Sequence, residues 1–324
     1  GPISGSKNTI LGSNAGEFGV SGSCNSIIGV GAGYHGVYGS ENFIAGTCAG
    51  GNWQSGMTGA STTIIGTFAG YCGVCGSDNT LIGTYVGGNW QSGRAGSYNT
   101  ILGYYAGYCG NSGNSNSLLG TNAGFCGVSG SANSIIGYGA GTCGSSGSNN
   151  SIIGTYAGYC GVSGNDNFIA GSCVGWSGTV SGSNNSIIGY KAGHYGICTS
   201  NNTILGSYAG YCGVCGNDNF LGGTCAGGNW QSGRTGTDNT LLGYRAGYCG
   251  VCGLANVIVG YGAGMCGVAG GALCSGNIII GTNAWGNDTT GFGTGGGNVV
   301  LGVCAGYCGI SGSCNSIMGF CAGY

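Results

Sequence analysis

The chain has 324 residues, of which 83 are Gly, 21 Cys and one Pro, with five Lys plus Arg against seven Asp plus Glu. A single proline excludes collagen, and 4% charge beside 41% hydrophobic residues excludes a disordered polyelectrolyte. So few basic residues leave no stripe to neutralise phosphates, which removes nucleic acid as a partner, and no apolar run is long enough to span a membrane.

Neither an initiator Met nor a signal peptide is seen, so the numbering is expected to begin after processing or within a longer chain. One repeat then runs from end to end. Its clearest copy is Asn150-Ser-Ile-Ile-Gly-Thr-Tyr-Ala-Gly-Tyr-Cys-Gly-Val-Ser-Gly-Asn-Asp166. With the first Asn as position 0, anchors fall at 8, 25, 42, 62, 79, 99, 116, 133, 150, 167, 185, 202, 219, 239, 256, 277, 298 and 315. Eleven of the 17 spacings are 17 residues, and only Thr62 departs from Asn at the anchor. Three spacings of 20 share one insert, starting at Gly51, Gly88 and Gly228, as expected of a surface loop that leaves the frame intact.

After each anchor comes a short β-type segment, Asn-Ser/Thr-Ile-Ile-Gly, bounded by turn residues. Gly fills position +4 in every copy and +8 in all but Trp285. Seventeen residues are too few for a strand–helix unit with its turns. They suit one coil of a narrow, all-β solenoid, a β-roll or β-helix. Eighteen coils at about 4.8 Å would span roughly 85 Å. Residues 1–324 are thus expected to form one continuous repeat domain, uncapped at both ends.

Alternation places +2 (always Ile, Leu or Val) in the core, with Ala or Val at +7 and often Val at +12. Positions +1 and +3 share the other face. Where +1 becomes Phe, +3 shrinks: Phe43 with Ala45, Phe168 with Ala170, Phe220 with Gly222. Such compensation suggests a covered face. The cover is either a second interior within the chain or another copy in a trimer or bundle. The anchor Asn side chains are expected to stack as an amide ladder.

All but one of the cysteines lie on four columns of the repeat, chiefly +10, +6 and +13. Stacked columns bring Cα atoms of neighbouring coils within disulfide range. Candidate rungs are Cys109–Cys126, Cys143–Cys160, Cys198–Cys215, Cys249–Cys266 and Cys304–Cys321. A second geometry pairs 160–173, 212–225 and 308–321, so connectivity stays open. Stapling in an oxidising compartment is the leading expectation. Buried thiols that never oxidise, and zinc held by the Cys-x-x-Cys pairs 72–75, 212–215 and 249–252, are the alternatives.

No catalytic, cofactor or metal site is expected. His35 and His194 occupy ordinary repeat positions, and Asp78, Asp166, Asp218 and Asp238 share the turn position before the anchor. Asn149, Asn184, Asn201 and Asn287 are sequons. The insert tryptophans, Trp53, Trp90 and Trp230, are candidate surface contacts, to a host-surface glycan or a sister chain, or else each folds back over its own coil.

The string Asn-Thr/Ser-Ile-Ile-Gly-x-x-Ala-Gly, as in 99–107 and 150–158, resembles repeats of tail-fibre-like proteins from phages and giant viruses. More loosely, it is similar to the head repeats of trimeric autotransporter adhesins. The resemblance implies a β-solenoid, fibrous assembly and, often, attachment to a host. The ends are also in frame: Asn315 to Tyr324 and the run to Asn8 of a following copy sum to one period. Ile3, Asn8, Ile10, Asn315, Ile317 and Tyr324 are therefore the candidate head-to-tail interface. The expectation is a structural, non-enzymatic fibre subunit on a cell or virion surface or in the extracellular space, joined end to end and laterally to itself and hardened by disulfides. A host-binding fibre shaft is the alternative. An ice-binding solenoid is a third reading, weakened by a +1 column that mixes Ser, Thr, Phe, Val and Ile.

Overall fold

The computed structural model describes all residues except 52–56, 73, 89–95, 229–235, 250, 252, 266–274, 287–294, 309, 311 and 324. The chain is an all-β solenoid, and it divides into two compact units, Gly1–Ser163 and Gly164–Tyr324. The first holds β1 (Thr9–Leu11), β2 (Ser26–Ile28), β3 (Phe43–Ala45), β4 (Thr63–Ile65), β5 (Thr80–Ile82), β6 (Thr100–Leu102), β7 (Ser117–Leu119), β8 (Ser134–Ile136) and β9 (Ser151–Ile153). The second holds β10 (Phe168–Ala170), β11 (Ser186–Ile188), β12 (Thr203–Leu205), β13 (Phe220–Gly222), β14 (Thr240–Leu242), β15 (Val257–Val259), β16 (Ile278–Ile280), β17 (Val299–Leu301) and β18 (Ser316–Met318). Every strand is three residues long and covers +1 to +3 of its coil.

Within each unit, consecutive strands pair in parallel with no slip. Ile135 faces Ile152, for example, and Ile187 faces Ile204. A thinner second ladder of single bridges runs through the +12 column, as in Val20↔Val37 and Val180↔Ile197. The two ladders enclose the core. Position +2 is fully buried from Ile27 to Val300, and Ala or Val at +7 is buried from Ala32 to Ala305. In-register Ile on Ile fixes each strand's face, because a one-residue slip would turn the whole +2 column outward.

The anchor asparagines form the expected ladder, but they do more than stack. The Asn133 amide N–H donates to Asn116 Oδ1 (2.9 Å), and Asn150 N–H donates to Asn133 Oδ1 (2.9 Å). Asn133 Nδ2 donates to Asn116 Oδ1 (3.1 Å) and to the Gly147 carbonyl (2.9 Å). Each side chain thus satisfies the backbone of a neighbouring coil where the strand begins. These amides are almost wholly buried. A serine row two residues earlier runs the opposite way, with Ser23 N–H donating to Ser40 Oγ (3.0 Å) and Ser131 N–H to Ser148 Oγ (3.0 Å).

The residue just before the anchor adopts a left-handed conformation in coil after coil, from Lys7 (φ 57°) through Asp78 (56°), Asn149 (59°) and Asp238 (60°) to Cys314 (61°). Asp and Asn recur there because their short polar side chains tolerate that conformation. The acidic residues at this position therefore serve a turn. Position +6 is left-handed as well and carries Tyr105 (φ 56°), Cys173 (58°) and Lys191 (54°), types that seldom adopt it.

Two polar residues interrupt the Val-rich +12 column. Asn111 and Ser145 are buried, and among the described residues neither Asn111 Oδ1 and Nδ2 nor Ser145 Oγ has a hydrogen-bond partner. Ser145 lies between Val128 and Val162 in the bridge ladder. Ser145→Val is therefore expected to raise stability by about 1–2 kcal/mol, from the removed unsatisfied hydroxyl and the added methyl groups. Denaturant unfolding checks it: a midpoint equal to or below the wild type would show that the hydroxyl is solvated.

Candidate functional surfaces

The strand face opposite the core is open. The +3 side chains Ile28, Ile65, Leu119, Ile136, Ile153, Ile188, Leu242 and Ile280 are all exposed, Leu119 by 50%. Position +5 continues the same face with exposed Val30, Tyr104, Tyr138, Tyr190 and Tyr261. This corrects one of the two expectations for that face: among the described residues, these side chains are not covered by a second interior within the chain. The volume compensation has a local cause at Phe220. A Cβ on Gly222 would stand 3.1 Å from Phe220 Cε1 and 2.9 Å from Leu242 Cδ1, so the ring lies across the space left by the missing side chain. No Asp, Glu, Lys, Arg or His occupies +1, +3 or +5 in any of the 18 copies. Each unit thus presents an uncharged face along its strands, apolar in the +3 column and rich in Ser and Thr at +1 and +5.

A second surface is built at +6, +9 and +10. At +6, Phe68 stacks on Tyr85 (5.0 Å, 9°) and Tyr85 on Tyr105 (4.9 Å, 7°). At +9, Tyr108 stacks on Phe125 (5.3 Å, 21°). In-register columns at β spacing explain the pile: identical positions on successive coils bring ring faces to van der Waals distance. Lys191 lies over the Tyr190 and Tyr208 rings (5.3 and 5.7 Å), and Arg245 over Tyr244 and Tyr248 (5.2 and 5.3 Å).

The histidines are packed into this aromatic region. His35 stacks on Phe18 (4.8 Å, 16°), and His194 on Tyr211 (4.8 Å, 25°) with Trp176 edge-on (5.5 Å). Burial, and then the nearby Lys191 charge, hold His194 below the usual imidazole range. Neither of its ring nitrogens has a hydrogen-bond partner among the described residues. A general base needs an oriented imidazole facing substrate, whereas this one is walled by rings. Trp285, the single exception in the +8 glycine column, is fully buried with φ 49°.

Of the cysteines, Cys252, Cys266 and Cys274 lie outside the described residues, as do Trp53, Trp90, Trp230, Asn287 and Tyr324. All the others carry thiols and no disulfide. The columns do bring candidate partners side by side. Cys109 N–H donates to Phe125 O (2.8 Å), next to Cys126, Cys143 N–H to Tyr159 O (2.9 Å), next to Cys160, and Cys321 N–H to Val303 O (2.9 Å), next to Cys304. Cys198 and Cys215 are both exposed, and Cys198 N–H donates to Val214 O (3.4 Å), next to Cys215. Among the described residues, no three His, Cys, Asp or Glu side chains gather as a metal cage, which bears on the zinc reading of 72–75 and 212–215.

At the chain ends, Asn8, Ile10, Asn315 and Ile317 are only half-buried, where the equivalent residues of inner coils are buried, and Ile3 is exposed. No helix among the described residues is long and apolar enough to cross a membrane. No protein-family model matches the chain, and no curated protein sequence matches it.

Proposed function

We propose that the chain is a structural subunit of an extracellular or virion-surface fibre, built from copies of itself associated along the strand face, with no catalytic task. The observation that carries this is the uncharged strand face, whose +3 column is an exposed apolar stripe flanked by +1 and +5 positions that are mostly Ser, Thr or Tyr. Covering a half-exposed Ile or Leu contributes roughly 1 kcal/mol. A stripe repeated coil after coil multiplies that gain while presenting no charge to desolvate. A second copy suits it best, because only a surface with the same coil spacing of about 4.8 Å offers ridges in register with it over many coils. End-to-end stacking through open strand edges would extend such bundles. The neighbouring thiols supply the groups for later disulfide hardening in an oxidising compartment.

The full chain at neutral pH is expected to form elongated assemblies in electron microscopy and to sediment as an oligomer. Replacing Leu119, Ile153, Leu242 and Ile280 by Lys puts two charges, two coils apart, on the strand face of each unit and leaves the core untouched. That variant is expected to keep the β signature in circular dichroism while its assembly midpoint rises at least tenfold. A wild-type chain that stays monomeric at tens of micromolar would sink the fibre reading. Unchanged assembly by the Lys variant would move the interface elsewhere.

A further inference from the structure

The +10 column holds Cys109, Cys126, Cys143 and Cys160 on four successive coils, an uninterrupted row of thiols. The backbone keeps them in step. Cys109 N–H donates to Phe125 O (2.8 Å), Cys126 N–H to Thr142 O (2.8 Å), and Cys143 N–H to Tyr159 O (2.9 Å), each acceptor being the residue before the next cysteine. Two residues further on, Asn111, Val128, Ser145 and Val162 are bridged in the same register. Cys126 and Cys143 are exposed and Cys109 and Cys160 half-buried, so the row is open to solvent. Between Arg94 and Asp166 the sequence has no charged residue and no His. The sulfurs are therefore the only strong metal donors on this stretch of the solenoid.

We infer that this row is a binding site for soft monovalent metal ions, Cu(I) or Ag(I), each held in line between the thiolates of two adjacent coils. A zinc–thiolate bond is about 2.3 Å, and on that scale two metal–thiolate bonds in line span about 4.6 Å, against a coil spacing of about 4.8 Å. Soft thiolates select Cu(I) over hard cations, and evenly stacked side chains do not converge on one point, as a four-coordinate ion requires. Two thiols release two protons to solvent and share one ion, leaving a single negative charge on the S–metal–S unit, with no electron transferred. Four sulfurs divide into two adjacent pairs that share no atom, 109 with 126 and 143 with 160, and take two ions.

The test uses the full chain, reduced, freed of reductant and kept anaerobic, competing for Cu(I) against bicinchoninate. Two double variants remove the same number of thiols but differ in adjacency. Cys109→Ser/Cys160→Ser keeps the pair 126 and 143 and is expected to withdraw one ion fewer than wild type. Cys126→Ser/Cys160→Ser leaves only separated thiols in the row and is expected to withdraw two fewer. Equal losses in the two variants would overturn the inference. X-ray absorption of the wild type with its first two equivalents of Ag(I) gives a reading independent of any variant's folding. Two sulfurs per ion are expected, and three or four would overturn it.

Discussion

Asn133→Ala is expected to destabilise its coils by about 2–6 kcal/mol, although the side chain touches no ligand and carries no charge. The Asn133 amide is a shared fitting. Its oxygen accepts the Asn150 backbone N–H at 2.9 Å and Asn150 Nδ2 at 3.1 Å, and its nitrogen donates to Gly147 O at 2.9 Å. Its nitrogen also donates to Asn116 Oδ1 at 3.1 Å, so alanine removes four bonds inside a site where Asn133 and Asn150 are 1% exposed, too closed for water to replace them. Each buried group left without that bond costs about 1–3 kcal/mol. Hydrogen exchange locates the effect, with the Asn150 amide losing protection while coils several turns away keep theirs, as nearest-neighbour stacking requires. Asn133→Thr is expected to cost less than Ala. Thr62 already stands at one anchor, its N–H donating to Asn42 Oδ1 (2.9 Å) and its hydroxyl to Ala60 O (3.1 Å). An alanine variant within about 0.5 kcal/mol of wild type would show that the ladder is decoration on a fold held by its apolar column.

Much of this was legible because the chain repeats. Period 2 within Asn-Ser-Ile-Ile-Gly placed Ile152 inward and Ile153 outward, and the structure agrees: Ile152 is fully buried and Ile153 exposed. The amide ladder followed from the same frame. The second face was harder. Phe beside a small residue reads as packing in any setting, and sequence does not separate a ring lying over its own strand, as Phe220 does over Gly222, from one pressed by a neighbour. The aromatic pile at +6 went unseen because Tyr105, Cys173 and Lys191 share that column, and mixed chemistry hides a shared left-handed backbone. A third glycine column, three residues before the anchor, does not stand out among 83 glycines, although an added Cβ at Gly130 would stand 1.8 Å from Gly147 O. The thiol row, in contrast, needed only the frame: 109, 126, 143 and 160 differ by one period each.

Gly137→Ala is expected to cost about 3 kcal/mol or more, the larger share from the coil above rather than from the residue itself. Gly137 has φ 137°, a region L side chains rarely adopt, which alone costs about 1–3 kcal/mol. Its added Cβ would also stand 2.4 Å from the Gly154 carbonyl oxygen, a backbone atom with no rotamer to change. Neither backbone can retreat cheaply, since Gly137 N–H donates to Leu119 O (2.9 Å) and Gly154 N–H to Ile136 O (2.8 Å), bonds that hold the coil spacing. Gly139, two residues on, provides the contrast. Its φ of 63° belongs to a column where Asn122 sits at 57°, and the atoms an added Cβ would meet belong to the Tyr156 ring, which can swing aside. Gly139→Asn is therefore expected to fall within about 1 kcal/mol of wild type. Thermal and denaturant unfolding of the two variants under identical conditions decides between causes. A large loss for Gly137→Ala alone assigns the +4 glycines to close approach between coils. Equal losses would assign both to the loss of a flexible turn, and the solenoid's spacing would then have to come from its core side chains.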